Sequence, residues 1–312
     1  NGEVYNFAEI KAELKPYNYE WKTDHSDTEV ILHSYEQWGI EFIKKLRGQF
    51  AFAIWDENLK KCFIVRDRAG IKPLYYTQHN EQFIFASEIK AIIEDRSIPR
   101  HVNEKALYHY LTFLTSPPPE TLFKGIFKLP AAHYMEISIN DQTAPDIKIT
   151  KYWELNSGAK KAHTQNEDEI INTLREKLFD SVKTHKISDV SSGVFLSGGI
   201  DSSLNAVLFS KDEDKPTKTF TITYDDKNTQ YKSEAPFARI IANKIKADHY
   251  EHQLTVEDML NFLRKMVYLQ DEPIADPVCV PVYYVSKLAK DNNVTVCHVG
   301  EGSDELFWGY PG

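Results

Sequence analysis

The stretch "VFLSGGIDSS", residues 194–203, decides how the C-terminal half of this chain is read. An apolar run, Val194–Leu196, meets two glycines, an aspartate and three serines, and helical character follows in "SSLNAVLFSK". Strand, glycine-rich turn and helix form the arrangement in which a ligand sits beyond a strand's carboxyl end and an anion meets a helix N-terminus. The usual phosphate loop carries a lysine before its Ser/Thr, and none stands here. Gly198 and Gly199 would let backbone N–H groups approach phosphate oxygens, while Ser197, Ser202 and Ser203 offer hydroxyl donors. Asp201 beside phosphate would be repulsive without a cation, which implies Mg²⁺, a hard ion suited to carboxylate and phosphate oxygen. Taken alone, the stretch could also be a Gly-Ser turn that merely caps a helix.

The flanking sequence supplies the sheet. "KTFTITY" (218–224) and "VTVCHVG" (294–300) read as strands, and "SEAPFARIIANKIK" and "CVPVYYVSKLAKDN" as helices. "EDEIINTLREKLFDSVKTH" (167–185) spaces Ile170, Leu174, Leu178 and Val182 as a helix with one buried stripe. Strands alternating with helices predict an α/β domain whose parallel sheet is covered on both faces. A second loop, "HVGEGSDELFWGY" (298–310), follows a strand and gathers Glu301, Asp304 and Glu305. Unpaired carboxylates are costly away from water, so metal binding and proton transfer both suit them. Acids decorating a helix N-terminus are the plainer alternative.

The N-terminal half is different in kind. "EVILHSYEQWG" (29–39) has helical spacing and ends on Gly39, a C-cap signal. "FAFAIWDENLKKCFIVRD" (50–67) reads as a hairpin turning at "DENLK", and "PLYYTQHNEQFIFAS" (73–87) as another turning at "HN". "NEKALYHYLTFL" (103–114) is a helix capped by Asn103. Periodicity is lost in "ELNSGAKKAHTQNED" (154–168), which sets the expected domains at 1–155 and 166–312 with a linker at 156–165.

Composition narrows the function. The net charge of −9 argues against a nucleic-acid binder, because phosphate backbones need clustered Lys and Arg. Cys62, Cys279 and Cys297 form neither a disulfide framework nor a CxxC spacing, which fits a reducing, cytoplasmic setting. Cys62 and Cys297 lie in strand-like runs and are expected to be buried thiols. No apolar run reaches membrane-spanning length, and no signal peptide is visible. The 11 histidines show no metal-ligand spacing; His298, beside the acidic loop, is the one singled out.

The motifs now on the page carry a resemblance. "LSGGIDSS" resembles the pyrophosphate-binding loop of PP-loop ATPases, which cleave ATP between the α- and β-phosphates. Together with "DEPIADP" (271–277), "GEGSDELFWGY" (300–310), "RDRAGIKPLYY" (66–76) and "FASEIKAI" (85–92), it is similar to glutamine-dependent asparagine synthetase of the bacterial B type. The resemblance implies that ATP adenylates a carboxylate and that ammonia then displaces AMP to form an amide. It implies an α+β Ntn-hydrolase-like sandwich followed by an α/β PP-loop domain.

By that resemblance Ser197, Gly198, Gly199, Asp201 and Ser202 hold pyrophosphate, Asp201 and Asp304 bind Mg²⁺, and Glu301 deprotonates the attacking ammonia. Phe195, Ile222 and Gly300 fall where the family lines its adenine pocket. In the first domain Asn1 and Gly2 match the oxyanion segment, and Glu3 and Asp27 match the carboxylates that hold the glutamine ammonium. The implied partners are glutamine, aspartate and ATP, with no nucleic acid and no membrane, and the resemblance allows a homodimer. Val299 replaces a serine common in the family and removes one adenine-side contact, while Trp308 replaces a glycine near the acceptor site, which leaves acceptor identity open between aspartate and another carboxylate, such as a uronic acid or a β-amino acid closed to a lactam. A non-catalytic nucleotide-binding module is the alternative from another class. The family's nucleophile is an N-terminal cysteine whose own amine is the base. Cys62, mid-strand, cannot supply that amine, so the chain is expected to be a fragment lacking about 70 upstream residues, judged from typical domain size, and to continue beyond "GYPG". Residues 1–312 by themselves are expected to have no glutaminase activity.

Overall fold

The computed structural model describes residues 1–138, 145–155, 166–211, 213–224, 234–307 and 309. Two compact units emerge: residues 1–160 together with Gln270–Ala275, and residues 161–269 together with 276–312. The expected linker, 156–165, lies outside the described residues, as does Trp308. No described helix is long and apolar enough to cross a membrane.

The first unit runs β1 (Gly2–Val4), α1 (Phe7–Leu14), α2 (Asp27–Trp38), β2 (Gly48–Asp56), β3 (Lys61–Arg66), β4 (Tyr75–His79), β5 (Gln82–Ala86), α3 (Ile89–Ile93), α4 (Glu104–Phe113), β6 (Ile126–Lys128), β7 (His133–Ser138) and β8 (Asp146–Lys151). Its strands form an antiparallel five-stranded sheet, β1-β2-β3-β7-β8, and a three-stranded sheet, β5-β4-β6. Alternation along a strand sends neighbouring residues to opposite faces. Thus Phe50 of β2 and Val65 of β3 join Ile10, Leu14 and Val30 of α1 and α2, while Ala51 and Ile64 face Leu74, Tyr76 and Phe83 of the smaller sheet. Ile89 and Ile92 of α3 cover the far side of that sheet beside Ile126. The layers are therefore helix, sheet, sheet, helix.

Local signals hold in detail. Gly39 ends α2 at φ +57°, and the Asn103 side chain accepts from Ala106 N at 3.3 Å to cap α4. One turn sits a residue later than expected: β4 and β5 are joined by Asn80-Glu81, both at positive φ (47° and 64°), rather than by "HN". Two central residues in the left-handed region match the right-handed twist of hairpin strands.

The second unit runs α5 (Glu167–His185), β9 (Ser192–Phe195), α6 (Ile200–Phe209), β10 (Lys218–Thr223), α7 (Ala235–Lys244), β11 (Asp248–Gln253), α8 (Val256–Gln270), α9 (Cys279–Asp291), β12 (Val296–His298) and α10 (Ser303–Phe307). The sheet is wholly parallel in the order β11-β10-β9-β12. Val194, Leu196, Ala206, Phe209 and Ala238 fill the face under α6 and α7. Phe220, Val285, Ala289 and Val294 fill the face under α9. Phe220 is fully buried, which contributes roughly 2–3 kcal/mol.

The expected buried stripe of α5 needs correction. No α5 residue is fully buried: Ile170 is exposed, and Leu174, Leu178 and Val182 are half-buried. Among the described residues α5 packs on α6, and Val182, near its C-terminal end, reaches the core. Cys62 and Cys297 are likewise half-buried rather than buried. Burial still pushes both thiols up, that of Cys297 to about 12, so neither is poised as a thiolate.

Candidate functional site

Strand β9 lies between β10 and β12: the chain steps to one side of it through β10 and β11 and crosses to the other side for β12. The strand order thus switches between β9 and β12, and open α/β sheets bind ligands beyond the carboxyl ends of the strands at such a switch. Both motif loops emerge there. The first is held tightly at its base: Leu196 N donates to Phe220 O at 2.9 Å, and the Thr221 hydroxyl donates to Leu196 O. Gly198 then turns at φ +99°, and a Cβ there would stand 2.5 Å from Glu234 O, so both dihedral and space demand glycine.

Gly199 is the N-cap residue of α6, and its carbonyl accepts from Ser203 N at 3.1 Å. Ser197 Oγ accepts from Gly199 N at 3.2 Å and lies 2.8 Å from Ser202 Oγ. Ser202 Oγ in turn accepts from Ser197 N and donates to Gly199 O. The two hydroxyls thus close the loop on itself, around the first N–H groups of a ten-residue helix. Those groups have no intrahelical partner and carry the positive end of the helix dipole, which suits an anion. Asp201 stands in the same turn.

The second loop meets the first. A Cβ on Gly300 would lie 3.1 Å from Ser202 N and 3.3 Å from Asp201 Cβ, so a side chain here would press on the first turn of α6 by a few tenths of an ångström. Glu301 follows, exposed to solvent. Asp304, in the short helix α10, accepts from Gly309 N through its carbonyl at 3.2 Å, and its carboxylate lies against Gly309. Asp201, Ser202 and Gly300 are therefore brought together, and Glu301 is their chain neighbour. Among the described residues no three His, Cys, Asp or Glu side chains form a ready-made metal cage. Mg²⁺ takes one or two carboxylates plus phosphate oxygens rather than such a cage, so the chemistry of the donors fits that ion.

Phe195 and Ile222 pack into the apolar cluster around Phe220 under α9. Val299 is exposed. His298 has its ring edge-on to Phe209 at 4.6 Å. Burial, and then the positive surroundings of His185 and Lys186, lower its pKa to about 4, so it stays neutral at pH 7.

In the first unit, Asn1, Gly2 and Asp27 line a cavity of about 810 Å³, with Thr23, Ser26 and Phe50 among its other walls. Gly2 turns at φ +117°, and a Cβ there would overlap Gln49 O. Asp27 Oδ2 accepts from Val4 N at 3.0 Å, tying the start of α2 to β1, and Asn1 Nδ2 reaches Ser87 Oγ at 3.4 Å. Glu3 pairs with Gln49 in the ladder and is not part of the lining.

Glu29, another wall of the cavity, was missed by sequence reasoning. Its carboxylate accepts from Lys22 N at 2.6 Å, Thr23 N at 2.9 Å and Thr23 Oγ1 at 2.5 Å, clamping the loop before α2. Those bonds, the Lys22 N–H first, hold it at about 2. The signal was present as Ser26-x-x-Glu29, a capping box. Ser26 Oγ does accept from Glu29 N at 3.4 Å, but the glutamate serves the preceding loop instead of the cap residue. Asp67 of the "RDR" motif is similarly structural: it is fully buried and accepts from the N–H groups of Phe50, Ala69, Ile71 and Lys72.

Comparison with known proteins agrees with both halves. Residues 1–153 match the family model of the glutamine amidotransferase domain, and residues 173–312 match that of asparagine synthase. Asparagine synthetase [glutamine-hydrolyzing] 1 of Bacillus subtilis is 38% identical over 99% of this chain and 47% of its own length. A putative asparagine synthetase [glutamine-hydrolyzing] of Mycobacterium tuberculosis is 35% identical over 99% of this chain and 47% of its own. The solved glutamine phosphoribosylpyrophosphate amidotransferase of B. subtilis is 14% identical, covering 84% of this chain and 71% of that one at a TM-score of 0.37. The chain spans about half the length of the curated relatives it matches. With both domain models matched in order and identity running along nearly all of it, the chain joins a glutamine amidotransferase domain to an asparagine synthase domain and is similar throughout to glutamine-hydrolysing asparagine synthetases.

Proposed function

We propose that this chain carries the glutaminase and nucleotide-binding parts of an enzyme that makes asparagine from aspartate, ATP and glutamine. The observation that carries this reading is the meeting of Gly300 with Asp201 and Ser202 at the switch point of the parallel sheet. In this reading the first unit is an Ntn-type glutaminase and the second a PP-loop synthetase. Backbone N–H groups at the start of α6, with Ser197 and Ser202, hold the pyrophosphate of ATP. Asp201 and Asp304 would hold Mg²⁺, which when bound supplies positive charge to the leaving group. Phe195, Ile222 and Gly300 bound the adenine side. The aspartate carboxylate attacks the α-phosphorus, pyrophosphate leaves, and ammonia attacks the acyl-adenylate to release AMP. Glu301, exposed beside the loop, accepts the proton ammonia loses.

In the whole enzyme ammonia would come from glutamine held in the first-unit cavity, its amide carbonyl attacked by a nucleophile other than Cys62 and its amide nitrogen leaving as ammonia. Asp27 and Glu3 take the substrate ammonium, while the Asn1 side chain and Gly2 N–H stabilise the oxyanion. Because Glu3 stands off the cavity wall, Asp27 is the stronger of the two assignments. The setting we propose is the cytoplasm, to which three unpaired thiols are suited. Hydrogen exchange with and without MgATP tests the nucleotide site. Protection should appear at 197–203 and 299–304, and protection confined to other segments would refute it.

A further inference from the structure

Six residues far along the chain, Gln270–Ala275, belong to the first unit. Two of them are buried acids. Asp271 Oδ2 accepts from Ile89 N at 2.6 Å, and its Oδ1 lies 2.7 Å from Lys90 Nζ. Glu272 Oε1 accepts from Leu122 N at 2.6 Å and from Ser116 Oγ at 3.1 Å, and its Oε2 lies 2.9 Å from Lys128 Nζ. Each carboxylate side chain is only 8% exposed. Burial disfavours the Lys90 ammonium, yet bonds to Asp271 and Glu88 hold its pKa above the usual value. Asp271 sits at φ +58°, the left-handed conformation common just past a helix C-terminus, here that of α8.

The partners of the two acids come from three separate places in the first 128 residues: Ile89–Lys90, Ser116 with Leu122, and Lys128. Removing the acids would take one carboxylate from Lys90, which keeps Glu88, and one from Lys128, which keeps the Ser116 oxygens, and would strip the Ile89 and Leu122 N–H groups of their acceptors. Buried charges and donors without partners are strongly destabilising. We propose that these groups form a receptor for an acidic Asp-Glu dipeptide, and that the chain's own Asp271–Glu272 is its occupant. The "DEPIADP" motif thereby has a purpose apart from nucleotide chemistry: it completes the first unit from beyond residue 160. This is independent of the proposed reaction.

Native-state hydrogen exchange on the whole chain tests it through two reporters, the Ile89 and Leu122 amides. In Asp271→Asn/Glu272→Gln both amides should exchange about tenfold faster or more, since charged partners are lost from a buried site. An added hexapeptide of sequence QDEPIA should restore protection, and QNQPIA should not. Unchanged exchange in the variant, or equal effects of the two peptides, overturns the proposal. If that variant does not fold, Lys128→Met and Lys128→Met/Glu272→Gln decide the matter. The single change strands a buried carboxylate and should raise Leu122 exchange more than the double change does. Equal exchange in the two overturns the proposal as well.

Discussion

Gly198→Ala separates two costs that the loop at 197–203 combines. At φ +99° any side chain is strained, and the new Cβ would stand 2.5 Å from Glu234 O, 3.0 Å from Ala238 N and 3.2 Å from Phe237 Cβ. Two of those neighbours are backbone in the first turn of α7, so relief requires that turn or the loop to move by several tenths of an ångström. The dihedral alone costs about 1–3 kcal/mol, and overpacking adds about 1–3 kcal/mol. Gly302→Ala is the control, because Gly302 has nearly the same φ, +95°, and nothing within 4 Å of its Cβ position. The difference between the variants therefore isolates crowding, roughly a five- to 150-fold change in protection. Exchange of the Leu196 amide, which bonds to Phe220 O at the base of the loop, is the readout, since it reports the second unit without assuming that the whole chain unfolds in one step. If Gly198→Ala is no more costly than Gly302→Ala, the close approach of the loop to α7 is wrong.

Glu301→Gln should keep MgATP affinity within about twofold but lose amide formation, because an amide cannot accept the proton from ammonia; near-native turnover would remove Glu301 from the mechanism. Asp201→Asn should weaken MgATP binding at least about tenfold while leaving nucleotide affinity without Mg²⁺ almost unchanged, as expected for a ligand of the ion, and equal losses under both conditions would contradict the assignment. His298 is held neutral, with its pKa lowered to about 4, so the unfolded chain binds its proton first as pH falls. Its contribution to stability is complete above the unfolded value near 6.5 and is lost progressively down to about pH 4; His298→Gln should flatten that limb in acid titrations followed by circular dichroism, and an unchanged limb would place its origin elsewhere.

Residue type and spacing made some of this legible. The β9 loop could be read because positive φ, close approach and helix capping each require a particular residue, and "SGGIDSS" supplies them in order. Asn103 and Gly39 announced their helix ends for the same reason. The strand β11, "DHYEHQ", escaped notice because it is an edge strand whose polar side chains satisfy no apolar pattern. Arg239 reaches Glu251 of that strand, an interaction invisible to periodicity. The stripe of α5 misled because four-residue spacing reports which side is apolar and not how far it is covered. Glu29 showed a capping-box spacing, but nothing local reveals that its carboxylate turns to Lys22 and Thr23. The docking of Asp271 and Glu272 depends on partners more than 140 residues away, beyond the reach of any window.

The most direct test of the proposed chemistry is product analysis with MgATP, ammonia and aspartate supplied together. Equal amounts of AMP, pyrophosphate and asparagine, formed only when aspartate is present and abolished by Glu301→Gln, are the expected result. Formation of ADP and phosphate, or release of pyrophosphate indifferent to aspartate, would contradict it.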